Sequence, residues 1–173
     1  LIAGILLPES GSVQIGDEQI HQLSDRARRL YRLNRIGYVL QDFSLIPHLK
    51  LKDNIKLPFY INPAFNWKTT YADDFDTLTT RLQIQPLLNK YPTELSIGEK
   101  QRACLCRALI TRPTLILADE PTANLDEENR DEVLNIMDDY IQEHQATLVM
   151  VCHDMGIQGW FDDLVSFKEV NHV

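Results

Sequence analysis

The sequence predicts an α/β fold in which helices pack against a parallel core sheet. Three short apolar runs, at residues 35–40, 115–118 and 147–152, have the length and composition of buried strands. Helical segments separate these runs along the chain, and strands that alternate with helices typically form a parallel sheet. The 173 residues, 44% of them hydrophobic, are enough for the core of one domain. We therefore expect a single α/β domain rather than two.

The segment before the first core strand is predicted to contain a helix end, a hairpin and a complete helix. Gly4 is expected to close the last turn of a helix in which the chain begins. Residues 12–20 alternate in polarity around a Gly-Asp pair, which indicates a short hairpin. Ser24 is a favourable N-cap for a helix over residues 25–33 that is rich in arginine.

Helical patterns account for most of the remaining chain. The predicted segments are a helix from about Lys52, a link rich in proline and asparagine over 58–66, and helices over 71–82, 98–111 and 127–143. Pro113 lies just after the helix over 98–111 and is expected to end it. Residues 164–167 are a candidate for a last strand.

Composition and charge argue against several classes of protein. No run of about 18 apolar residues occurs, so no membrane-spanning helix is predicted, and no signal peptide is recognised. The net charge of −8 argues against nucleic-acid binding over the whole surface. Cys104, Cys106 and Cys152 lack the spacing of a zinc site and are interpreted as free thiols. Together these features predict a cytoplasmic protein.

Polar residues follow all three predicted core strands. Gln41 follows the first strand, Asp119 and Glu120 end the second, and His153 follows the third. In parallel sheets, ligands bind beyond the carboxyl ends of the strands, so these four side chains are expected to converge on one site. Adjacent carboxylates repel each other, which is better tolerated where they bind a cation or transfer a proton.

Five motifs in order resemble those of ABC ATPases, the ATP-binding domains of ABC transporters. Residues 115–122 (LILADEPT) resemble the Walker B segment, and residues 123–126 (ANLD) resemble the D-loop. Residues 95–99 (LSIGE) resemble the signature motif LSGGQ, while Gln41 and His153 fall where the Q-loop glutamine and the switch histidine belong. The resemblance covers essentially the whole chain.

This resemblance implies the P-loop NTPase fold of that family. It implies a helical subdomain over about 43–112, with a core formed by residues 1–42 and 113–173. It also implies ATP as the substrate, Mg²⁺ as the cofactor and a second ATPase subunit as a partner, with a homodimer expected.

The resemblance assigns catalytic roles to the residues at the strand ends. Asp119 and Gln41 would bind Mg²⁺, a hard cation that prefers oxygen ligands. Glu120 would act as the general base toward the attacking water, which Gln41 would help to order. His153 would donate a hydrogen bond to the γ-phosphate and help to hold Glu120.

A second group of motif residues is implied to act on the nucleotide of the opposite subunit. Ser96, Gly98 and Glu99 lie at a predicted helix N-terminus, where free N–H groups favour an anion. Asp126 would lie at the dimer interface. Ile97 replaces the first glycine of the family's signature and Glu99 replaces its glutamine, so reduced backbone approach is expected at position 97.

A finer resemblance concerns the branch of the family. Residues 41–49 (QDFSLIPHL) and 54–58 (NIKLP) resemble the lipoprotein-release, macrolide-export and cell-division branch. This implies a motor subunit, peripheral on the inner face of the membrane, that energises a separate permease. The surface that contacts the permease would be formed by about 43–60 and part of 66–92.

Two alternatives stay open: a regulatory non-transport protein of the cell-division type, and a degenerate paralogue. DNA-repair and chromosome-organising ABC ATPases are a poor match, because the 53 residues between Gln41 and Leu95 leave no room for their insertions. The sequence does not identify the cargo, since the permease selects it.

No GxxxxGK[ST] motif for binding phosphates occurs in the sequence. Residues 1–11 resemble the segment that follows this motif in the family, so the motif would lie about two helical turns before Leu1. In the family the strand of this motif lies inside the sheet, next to the strand that ends at the switch histidine. We therefore expect the 173-residue chain alone to bind ATP weakly and to fold poorly. Truncation and true loss both remain possible origins.

Overall fold

The computed structural model describes residues 1–62, 65, 67, 71–123 and 125–166. Five strands and six α-helices lie within these residues. The strands are β1 (Gln14–Ile15), β2 (Glu18–Gln19), β3 (Ile36–Val39), β4 (Leu115–Asp119) and β5 (Thr147–Val151). The helices are α1 (Asp25–Arg35), α2 (Leu51–Ile55), α3 (Leu57–Ile61), α4 (Ala72–Arg81), α5 (Ile97–Leu109) and α6 (Glu127–His144).

A parallel sheet in the order β3-β4-β5 forms the centre of the fold, which confirms the predicted α/β class. Each of the three predicted core strands is present. The residue pairs Gly37–Ile116 and Ile116–Leu148 fix the register across the sheet. On β5, Val149 and Val151 are 39% and 51% exposed, whereas Ile116 on β4 is completely buried. The apolar core therefore lies around β3 and β4.

The N-terminal segment differs in one detail from its prediction. Gly4 has the left-handed conformation of a helix-ending glycine, with φ +62°, and its N–H donates to the Leu1 carbonyl oxygen at 2.7 Å. Residues 1–4 form a turn instead of a helix. The hairpin is confirmed, because β1 and β2 pair antiparallel around the Gly-Asp turn. Ser24 caps α1 as predicted, its hydroxyl oxygen accepting from the Ala27 N–H at 3.3 Å.

The predicted link over 58–66 is wrong for its first part, where α3 continues to Ile61. Pro58 lies in the first turn of α3, a position at which a helix does not use the backbone N–H that proline lacks. Residues 63, 64 and 66 of this link lie outside the described part of the chain.

The other predicted helices are confirmed to within a few residues at either end. Residues 164–166 form no strand, and Phe167, the last residue of that candidate strand, lies outside the described residues.

Helix α5 has seven buried residues and packs against β3, α2 and α4. Its buried side chains include Leu105, Leu109 and both of its cysteines. Helix α6 packs beside α5 on the same core. Its periodicity predicts one apolar face, and five of the six residues on that face are buried while Ile141 is half-buried: Val133, Leu134, Ile136, Met137, Tyr140 and Ile141. Burying a single side chain of the leucine or isoleucine size contributes about 1.5–3 kcal/mol, so the buried faces of α5 and α6 contribute much of the stability of the core.

An aromatic cluster occupies the region of α3 and α4. Phe59 packs with Trp67 and Tyr71 at ring-centroid distances of 5.0 and 4.8 Å. The Lys56 ammonium lies 4.1 Å from the Trp67 ring centroid, and burial lowers the pKa of Lys56. Among the described residues, no helix combines the length and the apolar character required to cross a bilayer.

Candidate functional site

The carboxyl ends of the three core strands meet at one edge of the sheet. Val39 pairs with Ala118, and Ala118 pairs with Met150. Gln41 lies two residues after Val39, and Glu120 lies two residues after Ala118. His153 lies three residues after Met150. The sheet therefore carries the predicted strand-end residues to the same edge.

Glu120 and His153 are in direct contact. His153 Nε2 lies 3.1 Å from Glu120 Oε1. The Glu120 side chain is 21% exposed, whereas that of His153 is 87% exposed and extends into solvent. The backbone of Glu120 is left-handed, with φ +47°, and its N–H donates to the Val151 carbonyl oxygen at 2.9 Å. This contact to β5 holds a costly backbone conformation, and such conformations are concentrated at functional sites.

Asp119 and Gln41 are both exposed at the same edge. Among the described residues, no hydrogen bond or ion pair joins either side chain to Glu120 or His153. The edge offers an Asp carboxylate and a Gln amide oxygen, which are ligands that Mg²⁺ accepts. No three His, Cys, Asp or Glu side chains in the described residues are arranged to enclose a metal. Mg²⁺ that is bound through one or two protein oxygens together with substrate phosphates needs no such enclosure, so the residues present fit it.

The N-terminus of α5 is closed by a reciprocal capping box. The Ser96 hydroxyl oxygen accepts from the Glu99 N–H at 3.3 Å, and Glu99 Oε2 accepts from the Ser96 N–H at 2.7 Å. The backbone hydrogen bond from Ser96 lowers the pKa of Glu99. Glu99 is therefore a helix-capping carboxylate in this chain, a role that the resemblance to the signature motif does not assign to it.

Gly98 lies in the first turn of α5 beside the loop that precedes α6. A Cβ at Gly98 would lie 3.4 Å from Leu125 Cδ2. The neighbouring Ile97 is 52% exposed although it is apolar. The start of α5 therefore presents a surface made of glycine and an exposed isoleucine.

Asp126 caps α6, and its carboxylate oxygens accept from Asn129. Asp126 Oδ1 accepts from the Asn129 N–H at 2.9 Å and from Nδ2 at 2.8 Å. The backbone hydrogen bond from Asn129 lowers the pKa of Asp126. Arg102 of α5 donates to Asn129 Oδ1 at 3.3 Å, which connects the start of α6 to α5.

The predicted site residues thus form two groups. Ser96, Gly98 and Glu99 lie close to the Leu125–Asp126 loop. Within the described residues, no hydrogen bond or ion pair links this group to the Glu120–His153 pair.

Arginines that hold these loops were not predicted from the sequence. Arg130 of α6 donates to Asp154 Oδ2 at 3.2 Å, directly after His153. Arg107 of α5 donates to the turn after Gln41. In the sequence, an arginine on a helix that contacts a loop looks the same as one that faces solvent. The one available signal was that Arg102 and Arg107 lie on the helix that begins after Ser96, the helix of the signature motif.

A cavity of about 480 Å³ opens between α1, β3, α3 and α5. Its lining is mainly apolar and includes Leu40, Leu57, Pro58 and Ile61. Tyr38 also lines it, and burial raises the pKa of this phenol to about 12.

Comparison with known proteins gives consistent matches. A family profile described as "ABC transporter" matches residues 1–123. The chain is 36% identical over 169 residues to the uncharacterized ABC transporter ATP-binding protein YvcR of Bacillus subtilis, covering 98% of this chain and 64% of that protein. It is 33% identical over 168 residues to the lipoprotein-releasing system ATP-binding protein LolD of Treponema denticola, covering 97% of this chain and 73% of that protein. The chain thus spans about two thirds of the length of these relatives.

Solved structures also match. The chain superposes with a TM-score of 0.79 and 28% identity on the ATP-binding cassette MJ0796 in a dimeric post-hydrolysis state bound to ADP and Pi. This match covers 92% of this chain and 69% of that chain.

Proposed function

The chain belongs to the ATP-binding family of ABC transporters, and on this basis we propose that it is the ATP-hydrolysing motor subunit of a transporter. In this proposal, two ATPase subunits bind ATP between them and couple its hydrolysis to a membrane permease. The subunit is peripheral on the cytoplasmic face of the membrane, where the permease holds it. The Glu120–His153 contact carries the proposal.

The proposed chemistry follows from the positions of the strand-end residues. Glu120 accepts a proton from the attacking water, and His153 orients the Glu120 carboxylate through the 3.1 Å contact. His153 is exposed enough to reach a phosphate at the same time. Asp119 and Gln41 hold Mg²⁺, which neutralises charge on the phosphates when it is bound.

The second group of site residues is proposed to act across a dimer interface. Ser96, Gly98 and Glu99 stand apart from the Glu120–His153 pair, so in this proposal they contact a nucleotide held by the opposite subunit. Asp126 lies beside them and bridges between the subunits. The dimeric state of the matched MJ0796 cassette, bound to ADP and Pi, supports this arrangement.

The apolar cavity supports a permease-contact surface over residues 43–60. Leu57 and Pro58 line the cavity from this segment, and Tyr60 beside them is 63% exposed. A mainly apolar cavity of this size suits the side chains of an amphipathic permease segment. The similarity to LolD favours a permease of the lipoprotein-release type. We further propose that residues 43–112 form the helical subdomain, because α2, α3, α4 and α5 all lie within that range.

The test is ATP hydrolysis by the protein assembled with its permease. Replacing Glu120 with Gln removes the general base while keeping the shape of the side chain, so kcat is expected to fall by about 10²–10⁴-fold. Glu143→Gln is the matched control, since Glu143 is exposed near the end of α6 and away from the strand ends. Turnover by Glu120→Gln at the level of this control would overturn the proposal.

A further inference from the structure

We propose that Arg107, in the second half of α5, is a positioning residue for Gln41. Its guanidinium holds the strained turn that directly follows Gln41 and thereby sets where the Gln41 amide points. The functional importance of Gln41 rests on the function proposed above. The contact between Arg107 and the turn is observed in the structure and does not depend on that function.

The turn after β3 has an unfavourable backbone. Phe43 and Ser44 are consecutive residues with left-handed φ values of +61° and +43°. Neither is a glycine, so each carries a steric cost from its Cβ. Local hydrogen bonds, from the Phe43 N–H to the Leu40 carbonyl oxygen at 3.0 Å and from the Ser44 hydroxyl to Asp42 Oδ1 at 2.7 Å, contribute to the turn. The turn is exposed enough that these local bonds compete with water.

Arg107 provides the contact that ties this turn to the core. Its Nη1 donates to the Ser44 carbonyl oxygen at 2.7 Å and its Nη2 donates to the Phe43 carbonyl oxygen at 2.8 Å. The Phe43 carbonyl also accepts from the thiol of Cys104, one turn earlier on α5. A planar guanidinium can bind two adjacent carbonyls at once, which the single ammonium of a lysine does not reproduce.

Apart from the turn, the side chain of Arg107 has one hydrogen-bond partner among the described residues: its Nη2 donates to Cys104 Sγ at 3.4 Å, and the Cys104 thiol itself contacts the Phe43 carbonyl. No carboxylate within the described residues forms an ion pair with it, in contrast to Arg112, whose guanidinium makes two hydrogen bonds to Asp74. The positive charge of Arg107 is therefore used on the two carbonyls of the turn.

The position of Arg107 also connects the turn to two other surfaces. Arg107 and Ser44 both line the apolar cavity proposed to receive the permease. On the same helix, Ser96 lies eleven residues earlier, which is about 16 Å along a rigid helix. A shift of α5, or a ligand in the cavity, would therefore move the Arg107 guanidinium and with it the turn after Gln41.

Hydrogen–deuterium exchange of the full chain tests the contact without any need for catalysis. In Arg107→Gln, we expect the amides of residues 43–45 to exchange at least about tenfold faster, because the turn loses its anchor. Amides of β4 should be unchanged. Arg112→Gln is the control, because Arg112 pairs with Asp74 and not with the turn. It should leave the exchange rates of residues 43–45 unchanged. Unchanged exchange of residues 43–45 in Arg107→Gln overturns the proposal. If that variant fails to fold, Arg107→Lys provides the same comparison, because it keeps the positive charge and removes the planar guanidinium that binds both carbonyls.

A double-mutant cycle tests the positioning role in the assembled ATPase. If Arg107 acts through Gln41, Gln41→Ala and Arg107→Gln each lower kcat, and the double variant is no worse than Gln41→Ala. Arg107→Lys should restore part of kcat, and the thermal midpoints of Arg107→Gln and Arg112→Gln should agree. Losses in kcat that multiply in the double variant overturn the positioning role.

These two experiments separate this proposal from the proposed function. Absence of ATP hydrolysis by the wild-type assembly would contradict the proposed function, while the exchange rates of residues 43–45 would still decide whether Arg107 holds the turn.

Discussion

At the scale of single residues, left-handed backbone conformations distinguish the loops of the candidate site from ordinary helix ends. In the described part of the chain, three of the six non-glycine residues with positive φ follow helices, where such residues commonly end the helix. They are Gln83, Arg112 and Gln145. The other three follow strands, at the edge that carries the site: Phe43, Ser44 and Glu120. No helix end explains the latter group, and each costs about 1–2 kcal/mol that neighbouring contacts must offset.

The cysteines allow a prediction about single residues. Burial raises the pKa of the Cys104 thiol to about 11 and raises the pKa of Cys106 as well, whereas Cys152 is only partly buried. At pH 8, Cys152 is expected to react with iodoacetamide at least about 100-fold faster than Cys104 or Cys106, because the thiolate is the reactive form. Raising the pH toward 11 should increase Cys104 labelling if the fold is maintained. Mass spectrometry of the labelled peptides measures each site.

Cys152→Ser is the control for this labelling experiment and should remove the fast reaction. Rapid modification of Cys104 in the native protein would contradict the buried contact between its thiol and the Phe43 carbonyl.

At the scale of elements, the fit between β3 and α5 positions the Gln41 turn. Gly37 lies in the middle of β3, where a Cβ would lie 2.6 Å from the Ala108 carbonyl oxygen and 2.9 Å from Pro113 Cγ. Ala108 belongs to α5 and Pro113 lies four residues after its end. A backbone oxygen and a rigid proline ring cannot move aside as a flexible side chain can. A glycine here lets the helix approach closely enough for Arg107 to reach the turn.

Gly37→Ala is therefore expected to lower the free energy of unfolding by about 1–3 kcal/mol through overpacking. Gly159→Ala is the matched control, since a Cβ at Gly159 meets no atom within 4 Å. Urea unfolding of the two variants, compared with the wild type, measures the difference. Equal midpoints for Gly37→Ala and Gly159→Ala would show that α5 can move away from β3 at no cost.

At the scale of the whole molecule, the two groups of site residues are complementary but separate within one chain. The strand-end group contains the Glu120–His153 contact, and the α5 group contains a helix N-terminus beside Asp126. A site that uses both groups requires a second copy of the chain in the proposed arrangement. The net charge of −8 makes two copies repel each other, so dimerisation is expected to depend on nucleotide and salt.

Gly98→Ala separates folding from dimerisation. The added Cβ would lie 3.4 Å from Leu125 Cδ2 and 3.7 Å from Arg102 Nη1, both ends of flexible side chains, and alanine is favourable in helices, so the thermal midpoint should be equal to or above that of the wild type. ATP-dependent dimerisation of the protein should weaken by at least about tenfold, since the methyl group occupies the surface proposed to face the nucleotide. Light scattering in the Glu120→Gln background, with and without Mg-ATP, measures this. A dimer of unchanged affinity would contradict the proposed role of the α5 N-terminus.

The sequence alone predicted most of the architecture, for identifiable physical reasons. Apolar runs bounded by polar residues located β3, β4 and β5, and five of the six side chains that periodicity placed on the apolar face of α6 are buried. The convergence of Gln41, Asp119, Glu120 and His153 on one edge also follows from sequence, because parallel strands end at a common edge. The prediction failed over 58–61, where a proline in the first turn of a helix was interpreted as a break.

Only the tertiary structure decided which side chains touch. The Glu120–His153 contact, the capping box between Ser96 and Glu99 and the hold of Arg107 on the turn after Gln41 all depend on distances of about 3 Å between atoms. Two of these contacts join residues more than thirty positions apart, and local patterns in a sequence carry no information about such distances. The residue types and their order therefore determined the family and the candidate residues of this protein, while the packing of α5 against β3 decided how its loops are held.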